Sequence, residues 1–338
     1  MNITINDVAD EAGVSITTVS RVLNNNYPVK KETRERIEKA IKKLNYTPNA
    51  MARSLITKKT SMIGVIVPGI TNLFFPTIVE AIGEFTKKSG YSISLCSTGG
   101  DYLVEQNLSD ALISRQVDGI ITIDPSIECL ENGYYSKLSD RTPVIVVNGY
   151  PNGYKCNFVC YDEEVGCKEA FDYLIGLGHK KIAFIRGAKS YSYDIKEELY
   201  KKLLIDNSFS YEKVVRLKLG NSIEVIEQSK EGVKGILTLE ERPTAIFACN
   251  DLMAVGAIQA CQSLGLSVPE DISIIGFDNT IISDITSPRL TSVDQNMKDI
   301  GKRAAIELLD LIENDTKIRK KIIVATNLVI KDSCSKAK

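Results

Sequence analysis

Apolar runs typical of buried β-strands alternate with helical stretches from residue 62 to the end of the chain. The runs cover 63–67, 91–96, 119–123 and 144–147, and a second set covers 181–185, 245–248 and 272–276. Strands that are apolar at nearly every position are typical of parallel sheets with helices on both faces. The sequence therefore predicts an α/β domain with parallel sheets over 62–338.

Polar and aromatic residues follow several of these strands. Ligands in such folds bind beyond the carboxyl ends of the strands, so these residues are candidates for a binding site. Asn and Asp can hydrogen-bond to hydroxyls, and aromatic faces can stack on a sugar or base ring. Each could also be a cap or turn residue, and for Asp251 at the head of a helix we favour capping. The candidates are Phe74, Phe75, Asn148, Tyr150, Asn250 and Asp278.

Charge is distributed unevenly along the chain, although its net value is only −1. The first 60 residues hold 11 Lys or Arg and 6 Asp or Glu, whereas 31 basic and 37 acidic residues follow. A basic head on an acidic body indicates that the head alone contacts a polyanion.

Three short helices are predicted in this basic head. Thr4 and Asp7 have the spacing of a capping box, and Gly13 can end the first helix in a left-handed turn. Ser15 is a favourable N-cap for a second helix, and a third is expected over about 33–44. This pattern fits a helix-turn-helix, but a three-helix protein-binding bundle has the same pattern.

The head resembles the lactose-repressor/galactose-repressor family of transcription factors. The matching segments are TINDVA (4–9), AGVS (12–15), TVSRVLN (18–24), ETR (32–34), NYTPNA (45–50) and ARSL (52–55). Further matches are AIFACNDLMAV (245–255), VPED (268–271), IGFDN (275–279) and LTSVDQ (290–295), so the resemblance covers nearly the whole chain. One departure is Lys30, where the family usually has a Ser or Thr cap.

The resemblance implies three functional regions. Residues 1–46 would form the helix-turn-helix domain, 47–61 a hinge helix and linker, and 62–338 an effector-binding and dimerisation domain. That domain would have two lobes, like periplasmic sugar-binding proteins, connected by three crossovers. The N-lobe would comprise about 62–157 and 292–320, and the C-lobe about 158–288 and 321–338.

The resemblance also implies roles for residues of the head. The second helix of such a motif enters the major groove, where Arg can bind guanine through two hydrogen bonds and methyl groups can contact thymine. Alternatively, Arg21 contacts only phosphate. The residues matching base-reading positions are Ile16, Thr17 and Arg21. Those matching phosphate contacts are Thr4, Ser15, Asn24 and Tyr46, and Asn49, Ala52 and Leu55 of the hinge complete the predicted DNA contacts.

The effector is less well specified by the sequence. Many relatives carry an Arg that grips the effector, and alignment on Tyr200 puts Lys196 there, a point charge without the planar fork of Arg. Asn221 stands near a position where several relatives have an aromatic ring. Tyr191 and Tyr193 could supply aromatic surface instead, or lie on a loop with no such role. A hexose, pentose or derivative is the expected effector, and a purine or nucleoside acting as co-repressor is the alternative.

Other classes of function fit the sequence less well. The eight cysteines show no CxxC pair, and the lone His179 lies in a predicted turn, so no metal, cofactor or catalytic residue is expected. No secretory signal or membrane span is evident, which disfavours a stand-alone sugar-binding protein. We expect a cytoplasmic, nucleoid-associated homodimer that acts as a repressor and binds operator DNA and a small molecule, with a phosphocarrier protein as a further candidate partner.

Leu55 provides a test of the predicted hinge. Apolar side chains that wedge between base pairs kink DNA and open the minor groove. We expect Leu55→Ala to reduce both operator affinity and DNA bending while leaving effector affinity unchanged. Fluorescence energy transfer across a doubly labelled operator measures the bend, and an unchanged bend would exclude the wedge.

Overall fold

The computed structural model describes residues 3–24, 27–47, 59–149, 156–188, 190–314 and 318–338. The chain divides into two compact units, Met1–Thr60 and Ser61–Lys338. Most of the predicted hinge falls outside the described residues. The same holds for four predicted site residues: Asn49, Ala52, Leu55 and Tyr150.

The described residues of the first unit form three helices: α1 (Ile5–Ala12), α2 (Ile16–Asn24) and α3 (Lys31–Leu44). At the start of α1 the backbone N–H of Thr4 donates to the Asp7 carboxylate at 2.7 Å. Gly13 ends α1 with a φ of +63°, a conformation that suits glycine. Ser15 caps α2, because its Oγ accepts from the Thr18 N–H at 3.2 Å.

Helix α3 begins two residues earlier than the sequence predicts, and Lys30 precedes it without a side-chain cap. The three helices enclose a small apolar core to which each contributes. Its buried members are Val8, Ala9, Ala12, Val19, Val22, Ile37 and Ala40. A compact trihelical unit with its polar surface outward follows directly from this periodicity.

The second unit contains two six-stranded sheets. The first has the order β11-β5-β4-β3-β1-β2 and is entirely parallel. Its strands are β1 (Met62–Val67), β2 (Ser92–Ser97), β3 (Gly119–Ile123), β4 (Val144–Val147), β5 (Asn157–Tyr161) and β11 (Lys321–Val324). The helices of this lobe are α4 (Phe74–Lys88), α5 (Tyr102–Ser114), α6 (Ile127–Glu131), α7 (Tyr134–Ser139) and α13 (Met297–Asn314).

The second sheet has the order β12-β10-β9-β8-β6-β7, and only β12 runs antiparallel, beside β10. Its strands are β6 (Ile182–Arg186), β7 (Lys213–Arg216), β8 (Ala245–Ala248), β9 (Ser273–Asp278), β10 (Thr291–Asp294) and β12 (Asn327–Val329). Its helices are α8 (Glu163–Gly176), α9 (Tyr191–Asp206), α10 (Val225–Leu237), α11 (Asp251–Ser263) and α12 (Ile281–Ile285).

Strand pairing corrects the predicted lobe boundaries. Strand β5 pairs with β4 and belongs to the first sheet, so the first crossover lies at Asp162 and not at 157. The final segment, 321–338, which the resemblance assigns wholly to the C-lobe, contains two strands in different sheets, since β11 pairs with β5 and β12 with β10. The N-lobe therefore comprises 62–161 and 297–324, and the C-lobe 163–294 and 327–338.

The three crossovers are hydrogen-bonded to one another. The Asn296 side chain donates to the Ala325 carbonyl at 2.7 Å, and the Thr326 hydroxyl donates to the Asp162 carbonyl at 2.7 Å. A change in the angle between the lobes therefore acts on three connections that are coupled to one another by hydrogen bonds.

His179 joins the start of β6 to the C-terminal segment. Its Nε2 lies 3.0 Å from the Ser335 carbonyl, and its Nδ1 lies 3.0 Å from the Thr244 hydroxyl. The ring is buried, and burial lowers its pKa below the usual value of 6.5. The neutral imidazole is thus the form that the fold favours.

His179 should therefore make stability depend on pH. The unfolded chain gains a proton as pH falls through 6.5, whereas the folded chain resists protonation, so the contribution of His179 is lost as pH falls. We expect His179→Gln to lower the free energy of unfolding by about 1–3 kcal/mol at pH 8 and by less at pH 5.5. Urea denaturation at both values measures this. A deficit that is equal at the two values would contradict it.

Candidate functional site

The outer face of α2 presents the residues predicted to read bases. Ile16 is 48% exposed, and Thr17 and Arg21 are exposed beside it. Val19 and Val22 lie on the opposite face and are buried in the head core. The helix is thus fixed to the domain by one face and offers apolar and hydrogen-bonding groups on the other.

Arg21 is oriented by an aromatic neighbour. Its Cζ lies 5.0 Å from the centroid of the Tyr27 ring, which is itself 63% exposed. A guanidinium over an aromatic ring is attracted by the ring quadrupole, so Tyr27 restricts the position of the Arg21 side chain. Of the predicted phosphate contacts, Thr4, Ser15 and Asn24 are exposed, and Tyr46 is half-buried against the head core.

A cleft in the second unit is lined by residues of both lobes. It brings together seven predicted effector residues: Phe74, Phe75, Asn148, Lys196, Asn221, Asn250 and Asp278. Tyr191 lies instead in an adjoining space, beside Asp162 and Glu163. Tyr191 and Tyr193 both belong to α9, so the interpretation of these residues as loop decoration is wrong, and Tyr193 is the one that lines the cleft.

The structure adds cleft residues that sequence reasoning missed. Asp124 directly follows β3 and could have been found by the same rule that found Asn148 after β4. Gln295 follows β10, a strand absent from the predicted set. Cys249 also directly follows a strand, β8, whereas the other additions carry no such signal: Asn72, Tyr161, Ser190 and Ser192.

Direct hydrogen bonds between the lobes hold the cleft closed. The Asn221 amide of the C-lobe donates to the Asp124 carboxylate of the N-lobe at 3.1 Å, and it accepts from the Tyr193 hydroxyl at 2.9 Å. The backbone N–H of Ile223 donates to the Thr71 hydroxyl at 3.3 Å. About 20 Å³ is left in the centre, which is room for one water molecule.

The Lys196 side chain fills the centre of the cleft. It is 1% exposed, and its Nζ lies 3.6 Å from the centroid of the Phe277 ring. The Tyr161 and Tyr193 rings lie 5.8 and 5.9 Å away. The ammonium donates to the Cys249 carbonyl at 3.4 Å. A desolvated ammonium over an aromatic face is favourably placed, since the ring quadrupole attracts cations.

Carboxyl groups surround this ammonium. The pKa of Asp124 is raised to about 6, mainly by burial and next by the Glu163 carboxylate, while Asn221 and Lys196 act in the opposite direction. Burial, followed by the Asp251 charge, holds the pKa of Asp278 well above its usual value. Burial also raises the pKa of Glu163. Burial therefore disfavours the charged form of all three carboxyl groups.

Two acceptor atoms in the cleft have no hydrogen-bond partner within the described part of the chain. They are Oδ1 of Asn148 and Oε1 of Gln295, whose residues are 4% and 1% exposed. The Gln295 amide nitrogen donates to the buried Asp278 carboxyl. An unpaired buried acceptor costs about 1–3 kcal/mol, so these atoms indicate where the donors of a ligand belong.

Lys196 is positioned by its neighbour Glu197. The Glu197 carboxylate accepts from Arg186 and Lys201, each at 2.8 Å, and also contacts Arg216. Arg186 also forms an ion pair of 2.7 Å with Asp194, which lies on the same helix, α9, as Glu197. This ionic cluster fixes the rotation of α9, and with it the direction of the Lys196 side chain.

Asp251 has a role other than the predicted cap. The cap of α11 is Asn250, whose Oδ1 accepts from the Met253 N–H at 2.9 Å. The buried Asp251 carboxylate instead accepts from the backbone and hydroxyl of Thr280 at 2.7 and 2.9 Å, and from the Ser292 hydroxyl at 2.6 Å. It joins α11 to the loop after β9 and to strand β10.

The chain combines a trihelical head, which has an exposed recognition face, with a two-lobed domain, which has a polar cleft. This combination defines a ligand-responsive DNA-binding regulator. Comparison with known proteins agrees. Residues 4–49 match the model of bacterial regulatory proteins of the lacI family, and 171–334 match a periplasmic binding protein-like domain. The chain belongs to the lacI family of transcriptional regulators.

Individual relatives match over almost the whole chain. Catabolite control protein A of Priestia megaterium is 36% identical over 325 residues, covering 96% of each chain. The transcriptional repressor PurR of Vibrio atlanticus is 34% identical over 319 residues, covering 92% of each. The lac repressor dimer bound to operator and the anti-inducer ONPF superposes with a TM-score of 0.88 at 27% identity, over 99% of this chain and 100% of that one.

Within the described residues, no helix is long and apolar enough to cross a bilayer.

The Glu197 cluster should contribute strongly to stability. Removing one partner of a buried ion pair leaves the other charge uncompensated, so we expect Glu197→Gln to lower the free energy of unfolding by about 3 kcal/mol. Urea denaturation measures the loss. The matched control is Glu227→Gln, whose ion pair with Lys230 is exposed and should contribute less than about 1 kcal/mol. Equal losses of unfolding free energy in the two variants would contradict an anchoring role for Glu197.

Proposed function

We propose that the chain is a repressor of carbohydrate-utilisation genes that binds a palindromic operator as a homodimer. The observation that carries the sensing part is the cleft, where direct hydrogen bonds join the lobes around two unpaired acceptors. A ligand that satisfies those acceptors favours one arrangement of the lobes over another.

In this function the exposed face of α2 reads the operator. Ile16, Thr17 and Arg21 contact bases, while Thr4, Ser15, Asn24 and Tyr46 contact phosphates. Asn49, Ala52 and Leu55 act in the minor groove, within hinge helices that pair between the subunits. The exposure of Ile16 supports this assignment, because an apolar side chain at that position gains by contacting a thymine methyl.

Two subunits are needed because the symmetry of a palindrome matches a two-fold axis. The surface of the sensor unit offers apolar residues for such contacts: Leu103 is 53% exposed on α5, and Ile281 and Ile285 are 61% and 73% exposed on one face of α12. The similar lac repressor structure is itself a dimer on operator. We assign no enzymatic activity, since the matched relatives are named as regulators.

Regulation works as a population shift. The effector has to bind one lobe arrangement more tightly than the other, and DNA binding follows the same equilibrium. The proposed effector site consists of Phe74, Phe75, Asn148, Tyr150, Tyr191, Lys196, Asn221, Asn250 and Asp278. A carbohydrate is the proposed effector. The alternative is a purine or nucleoside, and a phosphocarrier protein is a further candidate co-regulator.

A thermal-shift screen followed by operator competition tests the sensing function. A ligand specific for the folded state raises the melting temperature by mass action. We expect a sugar or nucleoside to do so and then to change operator affinity in a fluorescence anisotropy assay. Ligand binding without any change in operator affinity would contradict regulation by the cleft.

Arg21 tests the DNA-reading function. We expect Arg21→Ala to lose discrimination at one base position of the operator, at a cost of about 1–3 kcal/mol, because two hydrogen bonds to guanine are removed. Competition with operators changed singly at each position measures this. Uniform weakening across all sequences would assign Arg21 to phosphate instead.

A further inference from the structure

A short strap reaches from the C-lobe to the N-lobe. It comprises residues 217–224, between β7 and α10. Its Asn221 amide donates to the Asp124 carboxylate at 3.1 Å, and its Ile223 N–H donates to the Thr71 hydroxyl at 3.3 Å. Asp124 and Thr71 belong to the N-lobe, so the strap joins the two lobes through the protein's own hydrogen-bonding groups.

The strap is fixed to the C-lobe by hydrogen bonds along its first half. The Gln228 Oε1 accepts from the backbone N–H groups of Lys218 and Leu219 at 2.9 and 3.2 Å. The Gly220 carbonyl accepts from the Tyr193 hydroxyl at 3.1 Å. All of these groups belong to the C-lobe, so the strap moves with that lobe.

Close backbone packing fixes the same part of the strap. Gly187, which directly follows β6, lies against it so closely that a Cβ atom at 187 would be 2.5 Å from the Gly220 Cα and 2.8 Å from the Leu219 oxygen. Only glycine allows this approach. The direction in which the strap presents the Asn221 amide is therefore set by the C-lobe alone.

Asp124 is fixed from the N-lobe side. It directly follows β3 and has a φ of +49°, a left-handed conformation that Asp adopts more readily than most residues. Its N–H donates to the Val147 carbonyl at the end of β4 at 2.9 Å. Because each lobe positions its own partner in advance, little conformational entropy is lost when Asn221 and Asp124 meet.

The strap lies on the side of the cleft that is remote from the crossovers. The crossovers extend from β5, β10 and β11, which together with β12 lie at one end of each sheet. Strand β7, which leads into the strap, is the opposite edge of the second sheet, and Asp124 and Thr71 follow β3 and β1 of the first.

This location determines which contacts break when the lobes open. A hinged cleft opens most on the side farthest from its hinge, so the Asn221–Asp124 and Ile223–Thr71 contacts separate. The Tyr161–Ser192 hydrogen bond of 3.1 Å also joins the lobes, but it lies beside the crossover at Asp162 and is less affected.

We propose that the strap is an intrinsic latch, in which Asn221 holds the lobes closed by binding Asp124 and has to be displaced before an effector enters. The inference rests on the proposed effector role of the cleft. The closed cleft leaves about 20 Å³, which accommodates one water, whereas a sugar ring needs several times more. The effector and the closed latch therefore exclude each other, and the effector competes with Asn221 for the lobe equilibrium.

Exchanging the two side chains tests the latch. Asn221→Asp keeps the size of the side chain but sets a second carboxylate against Asp124, so we expect the contact to break by charge repulsion. Asp124→Asn keeps an acceptor for the Asn221 amide and should stay closed. The double variant, Asn221→Asp with Asp124→Asn, restores one donor and one acceptor in reverse order and should close again.

Hydrogen–deuterium exchange of the full chain, with millisecond labelling and no added ligand, measures closure. It is carried out at pH 8, above the pKa of about 6 of Asp124. The reporter is the Ile223 N–H, which crosses between the lobes and is not adjacent to either substitution. We expect its exchange in Asn221→Asp to be about fivefold faster than in the wild type or more, and that in the other two variants to be within about twofold of the wild type.

The buried strand β8 is the folding control, because its exchange should be equal in all four chains if the variants differ only in lobe closure. Unchanged Ile223 exchange in Asn221→Asp overturns the latch. A double variant that exchanges as fast as Asn221→Asp overturns it as well, since a restored hydrogen bond would then have no effect on closure.

Operator affinity of the same variants separates the latch from the proposed function. If Asn221→Asp opens the lobes and operator affinity stays the same, the latch stands and regulation by the cleft fails. If Ile223 exchange is unchanged while a cleft ligand alters operator affinity, regulation by the cleft stands and the latch fails.

Discussion

The Lys196 ammonium and the carboxyl groups around it constrain the rest of the sensor domain, because charges buried together have to remain together. Asp124 comes from one lobe, and Lys196 and Asp278 come from the other, so their mutual attraction acts across the cleft. This attraction acts in a buried region where little water screens it, and the low dielectric strengthens each interaction between charges. Lobe closure is therefore an electrostatic equilibrium as well as a steric one.

Helix α9 connects this equilibrium to the scaffold. Its buried face carries Tyr193 and Lys196 toward the cleft, while Glu197 is anchored to Arg186 at the end of β6. Tyr200, one turn further on, donates to the Ile182 carbonyl at 2.9 Å and stacks on Phe184. A helix fixed at several points along one face can hold a single flexible side chain in place, which explains how a lysine can serve where a rigid fork would otherwise be needed.

Much of this arrangement could be predicted from sequence, since apolar runs locate parallel strands and parallel strands direct their carboxyl ends to one edge. That rule found Asn148, Asn250 and Asp278, and it would have found Asp124. It could not find Tyr161 or Ser192, because their meeting across the cleft depends on how the lobes close. The lobe boundary at 157 was misplaced because β5 and β11 are short strands whose sheet is decided by pairing and not by their own residues. The cap at Asn250 was misassigned because adjacent polar residues compete for it.

The three crossovers have a consequence for how such proteins diversify. Neither lobe is a continuous stretch of the gene, so a recombination event within the sensor would combine halves whose strands no longer pair with their own sheets. The head, in contrast, is encoded by one uninterrupted segment that ends before Ser61. Genetic exchange at that point can give an intact sensor a new operator, whereas a new ligand preference has to arise by point substitution within the cleft.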